Sequence, residues 1–347
     1  MAKPAKSKDK HIETLPASWY HDPAVHERER ERIFASEWLL YGHEAIVPEP
    51  GSYLAQTIAG WPLLVIRDRE GALRAFHNVC RHRASMVVAE GAGKAPALRC
   101  MYHGWVYDTD GRLKKAPDFG GDEAALCANT SLFPVHLQTW NGFIFICMAQ
   151  KPPSFMESLG DLPIAAGNID FTGFSYHSSA KHAIKCNWKV YAENYAEGYH
   201  IPAVHPGLNR EVDFASYRVA TGSRIARHLS EPRAESRDSA VYGGLWVWLW
   251  PYAALNVYKD GMNLELMVPT GPETVELQYH FLFRDLAREK TNREAMDMST
   301  AVTAEDIKIC EIVQKNLRAG VYKTGVLSPR HEGGVALFQD MVRKAVG

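Results

Sequence analysis

Two short clusters of metal-binding side chains constrain this chain more than anything else in it. Cys80-Arg81-His82 is followed, after seventeen intervening residues, by Cys100-Met101-Tyr102-His103, giving the spacing C-x-H-x17-C-x2-H. Each half pairs one thiolate with one imidazole. That inventory suits a [2Fe–2S] cluster in which two Cys hold one iron and two His the other. Neutral imidazoles make such a cluster easier to reduce than an all-Cys one, so it accepts electrons that must be passed on. A structural Cys2His2 zinc site uses the same ligand types, but it usually gathers its Cys in one half and its His in the other, with shorter gaps.

Composition narrows the remaining classes. With 347 residues the chain is comfortable for two domains, and its 46% hydrophobic and 23% charged content is that of an ordinary globular protein. A net charge of −1 gives no reason to expect nucleic acid or an acidic membrane surface as partner. Six cysteines in this length are not a disulfide framework; Cys127, Cys147, Cys186 and Cys310 lie in mostly apolar surroundings and are expected to be core residues. Iron–sulfur chemistry and free thiols point to a reducing cytoplasm. Met1 to His11 is basic and polar, a loose tail without the apolar stretch of a signal peptide. The longest apolar run, Gly243 to Tyr258, is interrupted by Pro251 and Asn256 and is too short to span a bilayer. No G-x-G-x-x-G follows a strand and no Walker loop occurs, so electrons are expected to arrive from another protein.

Periodicity divides the chain into three parts. Residues 1–38 carry the tail and a helix over Pro23–Trp38, expected to pack on the C-terminal part. Residues 39–150 read as short strands separated by turn residues, with Leu63–Ile66 and Phe143–Cys147 as buried strands. Both halves of the cluster motif follow strand-like segments, which places them at the tips of two hairpins. Lys151-Pro152-Pro153 marks a boundary, and 151–347 mixes helices and strands. There, Asn187–His200 reads as a helix broken by Pro202, Gly244–Trp250 and Val275–Phe283 as strands, and Ala301–Leu317 as an amphipathic helix. The fold class is α+β: a small all-β domain, then an antiparallel sheet embracing helices.

A second constellation lies in that last part. On a continuous helix, Val190, Glu193, Glu197 and His200 share one face, and His205 can fold back after Pro202 so that two imidazoles converge. The bland alternative is that one His caps the helix and the other is a satisfied surface residue. In the helix near Ala301–Leu317, Asp306 sits within the stripe Val302, Ile309, Cys310, Val313 and Leu317, whereas Glu305 points to one side and Glu311 away. A carboxylate facing a core needs a cation, and Arg74 or Lys185 would serve. Two His and one carboxylate with open positions are instead the facial triad of non-haem Fe(II) oxygenases.

From about Trp38 to its end the chain resembles the catalytic α-subunits of Rieske non-haem iron oxygenases. Cys80, His82, Cys100 and His103 match the ligands of that family's [2Fe–2S] cluster. His200 and His205, spaced H-x4-H after N-W-K and E-N-x-x-E, match its iron-binding histidines, and Asp306 sits where the family has its carboxylate ligand. Glu197 matches the acid that bridges a cluster histidine of one subunit to an iron histidine of the next; many members have Asp there, so the longer Glu is a departure. The stretches Trp250-Pro251, Leu255–Tyr258, Glu305–Ile307 and Cys310–Gln314 look most like the choline monooxygenase, glycine betaine and carnitine oxygenase branch. The resemblance implies a Rieske domain and a helix-grip catalytic domain, and assembly as a homotrimer or with a β-subunit. It also implies use of O2 with electrons from an NAD(P)H-dependent flavin/iron–sulfur reductase or a ferredoxin.

The expected activity is therefore hydroxylation or oxidative demethylation of a small substrate, a quaternary ammonium compound first. The alternatives are ring hydroxylation of an aromatic acid and, more remotely, a non-catalytic Rieske electron carrier. Trp246, Trp248 and Trp250 alternate with Leu245, Val247 and Leu249, so the three indoles share one strand face. They form either an aromatic wall that holds a cation or ordinary packing between sheet and helix. Tyr199, Tyr252 and Tyr258 are open to the same two readings.

Overall fold

The computed structural model describes residues 12–231 and 244–347, so the expected tail over 1–11 and the first residue of the run at 243–258 lie outside it. Three small antiparallel sheets build the region from Leu39 to Cys147. One orders Leu39–His43, Phe143–Cys147 and His136–Trp140; the next, Leu73–His77, Trp61–Arg67, Ser52–Ile58 and Gly91–Lys94; the last, Leu98–Arg99, Val106–Tyr107 and Leu113–Lys115. Leu64 and Ile66 bury into a core with Phe76, Trp105, Tyr107 and both motif cysteines.

Beyond Pro153 a seven-stranded antiparallel sheet dominates. In spatial order its strands are Ser175–Ile184, Thr274–Phe283, Gly261–Gly271, Ala253–Val257, Leu245–Leu249, Ile225–Leu229 and Arg218–Thr221. A short helix, Trp188–Tyr195, and a long one, Glu289–Arg318, lie on it, and a C-terminal helix, Gly333–Val346, packs beside them. The mixed class and the sheet-around-helix arrangement match the expectation.

Several local expectations need correction. The N-terminal helix is α-helical only over Pro23–Glu29 and continues as a π turn over Arg30–Phe34, where Ala35 N–H reaches Arg30 O at 2.9 Å. The first cluster segment is not a hairpin tip. It joins Leu73–His77 to Gly91–Lys94, strands on opposite edges of one sheet, whereas Cys100–Gly104 does turn the hairpin between Leu98–Arg99 and Val106–Tyr107. The long helix starts twelve residues earlier than its apolar signal, because its first turns are almost wholly polar. Its buried stripe is Thr303, Asp306, Cys310, Gln314 and Leu317, while Ile309 and Val313 are exposed. Among the described residues no helix is long and apolar enough to cross a membrane.

A buried ion pair ties the N-terminal helix to the helix that precedes the histidines. Lys189 Nζ lies 2.6 Å from Glu29 Oε1, Trp188 Nε1 donates to Glu29 Oε2 at 2.8 Å, and both charged side chains are fully buried.

Candidate metal centres and the cavity beside them

Cys80 and Cys100 are buried side by side, and the rings of His82 and His103 lie exposed with centroids 4.4 Å apart. Trp105 stacks on His82 at 4.9 Å and fixes its plane. Burial works against the Cys100 thiolate, but the backbone N–H groups of Tyr102 and His103 outweigh it and hold the thiol below its ordinary value. Burial raises the Cys80 thiol, against the pull of the Tyr107 hydroxyl, 3.2 Å from its sulfur, and of the His82 backbone N–H. Sulfurs met by several hydrogen-bond donors suit a cluster whose potential is set by such bonds. Among the described residues only His200, His205 and Asp306 bring three donor atoms within 4.8 Å of one another. The Cys/His quartet is therefore spread wider than one zinc ion would draw it.

The second centre begins where the helix Trp188–Tyr195 stops. Asn187 caps it, accepting from Lys189 N–H at 2.9 Å, and Ala196 ends it. Glu197 and His200 thus sit in a turn, not on a continued helix face. Two residues cause this. Gly198 faces Tyr217 so closely that a Cβ would overlap the phenol ring, and Pro202 opens a new helix, Ile201–Val204, with His200 as its N-cap. Glu193, expected to share the face, points elsewhere: it accepts from Tyr20 Oη at 2.6 Å and from Gln339 Nε2 at 3.1 Å.

The two histidines nevertheless converge. His200 Nε2 and His205 Nε2 are 3.0 Å apart, and Asp306 Oδ1 lies 3.0 Å from His205 Nε2 and 3.6 Å from His200 Nε2. Donors bonded to one metal at about 2.1 Å and at right angles lie about 3 Å from each other, so this triangle fits one face of an octahedron. The outer nitrogens are engaged as well. Glu197 Oε1 is 2.5 Å from His200 Nδ1 and its other oxygen meets Tyr199 N–H, while Glu305 Oε2 is 2.8 Å from His205 Nδ1. With both Nδ1 protons given to carboxylates, two Nε2 lone pairs face each other and call for a cation between them. Burial lowers the His205 pKa, but Asp306 and Glu305 together hold it above the ordinary histidine value. Asp306 itself accepts from Asn194 Nδ2 at 2.7 Å. Arg74, one candidate partner for Asp306, is paired with Asp68 instead, and Lys185 forms no ion pair with Asp306.

The triangle opens on a cavity of about 140 Å³. Its sheet wall follows from register. His228 pairs with Trp246, Trp246 with Asn256, and Glu265 with Tyr279, so these side chains share one sheet face. Met298, Val302 and Asp306, four apart, close the other side from the long helix. The three indoles divide: Trp246 lines the cavity, whereas Trp248 and Trp250 pack against Phe338 of the C-terminal helix. Tyr258 lines the cavity, Tyr252 is buried with its hydroxyl on Leu40 O at 2.7 Å, and Tyr199 is exposed against His331. Sequence reasoning missed Asn194, the pairing of Glu305, and Glu265. An acid inside the otherwise apolar Met262–Val268 was the available signal for the last.

Comparison with known proteins decides the family. The profile of the Rieske [2Fe–2S] domain matches residues 37–133, and that of the ring hydroxylating alpha subunit (catalytic domain) matches residues 171–347. The chain belongs to the Rieske non-haem iron oxygenases. It is an oxygenase whose family carries a Rieske [2Fe–2S] cluster and a mononuclear iron. This Rieske oxygenase is 30% identical to the chloroplastic choline monooxygenase of Atriplex hortensis, over 94% of this chain and 76% of that relative. It is 29% identical to the carnitine monooxygenase oxygenase subunit of Escherichia coli (strain K12), over 89% and 86%. A crystal structure of the quaternary ammonium Rieske monooxygenase CntA superposes with a TM-score of 0.88 at 27% identity, covering 97% of this chain and 96% of that one.

Proposed function

We propose that this Rieske oxygenase hydroxylates or oxidatively demethylates a small quaternary ammonium compound. The observation that carries the reading is the cavity beside His200, His205 and Asp306, walled by Trp246, Tyr195 and Tyr258. Aromatic faces attract a cation that has no N–H to donate. The relatives named for choline, carnitine and quaternary ammonium oxidation support the same substrate class. An aromatic acid, the alternative, would want a basic residue for its carboxylate, and none lines the cavity among the described residues.

In this reading residues 39–150 carry the cluster on Cys80, His82, Cys100 and His103, residues 151–347 carry the iron on His200, His205 and Asp306, and residues 1–38 brace the latter part. When bound, the cluster supplies electrons singly and the Fe(II) supplies O2 activation, the chemistry no side chain offers. The chain's own groups set the stage. Glu197 and Glu305 hold both imidazoles in the tautomer that presents Nε2, Asn194 orients Asp306, and the aromatic wall excludes water from the substrate's apolar methyl groups. Glu197 has a second role as the inter-subunit electron-transfer bridge, which requires a trimeric ring. A separate NAD(P)H-dependent reductase or ferredoxin supplies the electrons. A reducing compartment such as the cytoplasm suits six free cysteines.

The test is aerobic turnover with a reductase and NADH over a panel of methylammonium and aromatic-acid substrates, with formaldehyde assayed. Substrate-dependent NADH use with a methylammonium compound, and oxidised product, supports the reading. Product from aromatic acids alone would replace it.

A further inference from the structure

Glu265 is a buried carboxylate without a basic partner among the described residues, at the middle of the strand Gly261–Gly271. Its relative exposure is 3%, and its side chain lines the cavity. Tyr279 Oη donates to Oε1 at 2.9 Å and Asn256 Nδ2 to Oε2 at 3.3 Å. Both donors are neutral. Glu29, buried just as deeply, has Lys189 Nζ at 2.6 Å. No lysine or arginine forms an ion pair with Glu265 among the described residues, and none lines its cavity. His228 does not substitute, because burial pushes its pKa down to about 4 and leaves the ring neutral.

A buried carboxylate with only neutral donors is strongly disfavoured unless a cation completes it. The surroundings describe that cation. Tyr191, Tyr195, Tyr258 and Tyr279 all stand close enough for the Glu265 charge to perturb their hydroxyls, and Trp246 lies on the same face. A carboxylate framed by aromatic rings matches a cation that carries its charge on a methylated, donor-free nitrogen. The rest of the ligand is constrained by what is missing. Glu197 and Asp306 are the other charged groups of the lining, both acidic, so a carboxylate on the ligand would meet three anions and no basic residue among those described. Ser299 and Thr303 are neutral and suit a hydroxyl.

We propose that Glu265 is the counter-ion for the substrate's ammonium head, and that this cavity selects a quaternary ammonium compound with a neutral polar tail over one that bears a carboxylate. The inference rests on the reading of the protein as a quaternary ammonium oxygenase and adds the residue and the charge rule that set its specificity. Burial pushes the Glu265 carboxyl up to about 7, against the donors Tyr279 and Tyr191 and with the repulsion of Asp306. A bound cation favours its charged form.

The test is anaerobic calorimetric titration of the protein loaded with cluster and iron. The probes are choline, glycine betaine and the uncharged isostere 3,3-dimethylbutan-1-ol. Wild type should bind choline at least about tenfold more tightly than glycine betaine. Glu265→Gln should weaken choline by at least about tenfold and leave the isostere within about twofold. Glu265→Asp, which keeps the charge, should retain the preference for choline over the isostere. Unchanged choline affinity in Glu265→Gln, equal weakening of choline and isostere, or glycine betaine bound as tightly as choline would overturn the inference while leaving the proposed substrate class intact. Failure of wild type to bind either methylammonium probe would overturn both.

Discussion

Glu305 Oε2 lies 2.8 Å from Nδ1 of His205, on the opposite edge of the ring from Nε2, which is 3.0 Å from Asp306 Oδ1. Adjacent carboxylates of one helix thus grip both edges of a single imidazole. The outer one sets the tautomer, and the inner one shares the metal face with Nε2. Glu305→Ala removes the outer grip, so affinity for the mononuclear iron should fall by about 10–100-fold while the [2Fe–2S] absorption stays. Iron retained against a graded chelator as well as in wild type would show that Glu305 is only a helix charge.

Glu197 makes the equivalent contact to His200 from a turn. Glu197→Gln keeps the shape and a hydrogen bond but loses the anion. Both metal sites should remain filled while turnover falls steeply and substrate affinity changes little. Rapid-mixing measurement of cluster reoxidation with substrate and O2 reads this directly, and an unchanged rate means that electrons travel by another path.

Stability should fall as pH rises through neutrality. Burial pushes the Glu193 carboxyl up to about 7 from its ordinary value of 4.5, despite the bonds from Tyr20 and Gln339. Between those values the folded chain holds a proton that the unfolded chain has released, so this contribution is full below about 4.5 and lost above about 7. Glu265 acts with the same sign. Urea midpoints measured from pH 5 to pH 8 should therefore decline, and Glu193→Gln should flatten part of the decline. Identical slopes in the variant and wild type would contradict the assignment.

The buried Glu29–Lys189 pair joins the N-terminal helix to the helix that leads into the histidines. Lys189→Met strands a carboxylate that then has only Trp188 as donor, and should cost about 3–5 kcal/mol. Combining Lys189→Met with Glu29→Gln removes the stranded charge and should recover much of that loss. Chemical denaturation of the single and double variants checks both statements.

What could be read from the sequence was what depends on residue type and short spacing. Cys80, His82, Cys100 and His103 announce themselves because thiolates and imidazoles in that order have few other uses. His200, His205 and Asp306 follow from an H-x4-H pair and an acid in a buried stripe. The misjudged parts depend on contacts between distant residues. The helix over Asn187–His200 ends early because Tyr217 crowds Gly198, and nothing local in the chain records that approach. The first cluster loop spans a sheet because its flanking strands pair with other partners, which apolar alternation does not reveal. Strand alternation puts the three tryptophans on one face, but only the docking of Phe338 divides that face into core and cavity. Glu265 acquires meaning only through cross-strand register with Tyr279.

The most direct test of the account is metal and sulfide analysis of wild type beside Asp306→Ala. Wild type should hold about three irons and two acid-labile sulfides per chain. Asp306→Ala should keep the sulfide and the brown, dithionite-bleachable cluster, lose the third iron, and form no product. A variant that retains the third iron and full turnover, or a colourless wild type with stoichiometric zinc and no sulfide, would contradict it.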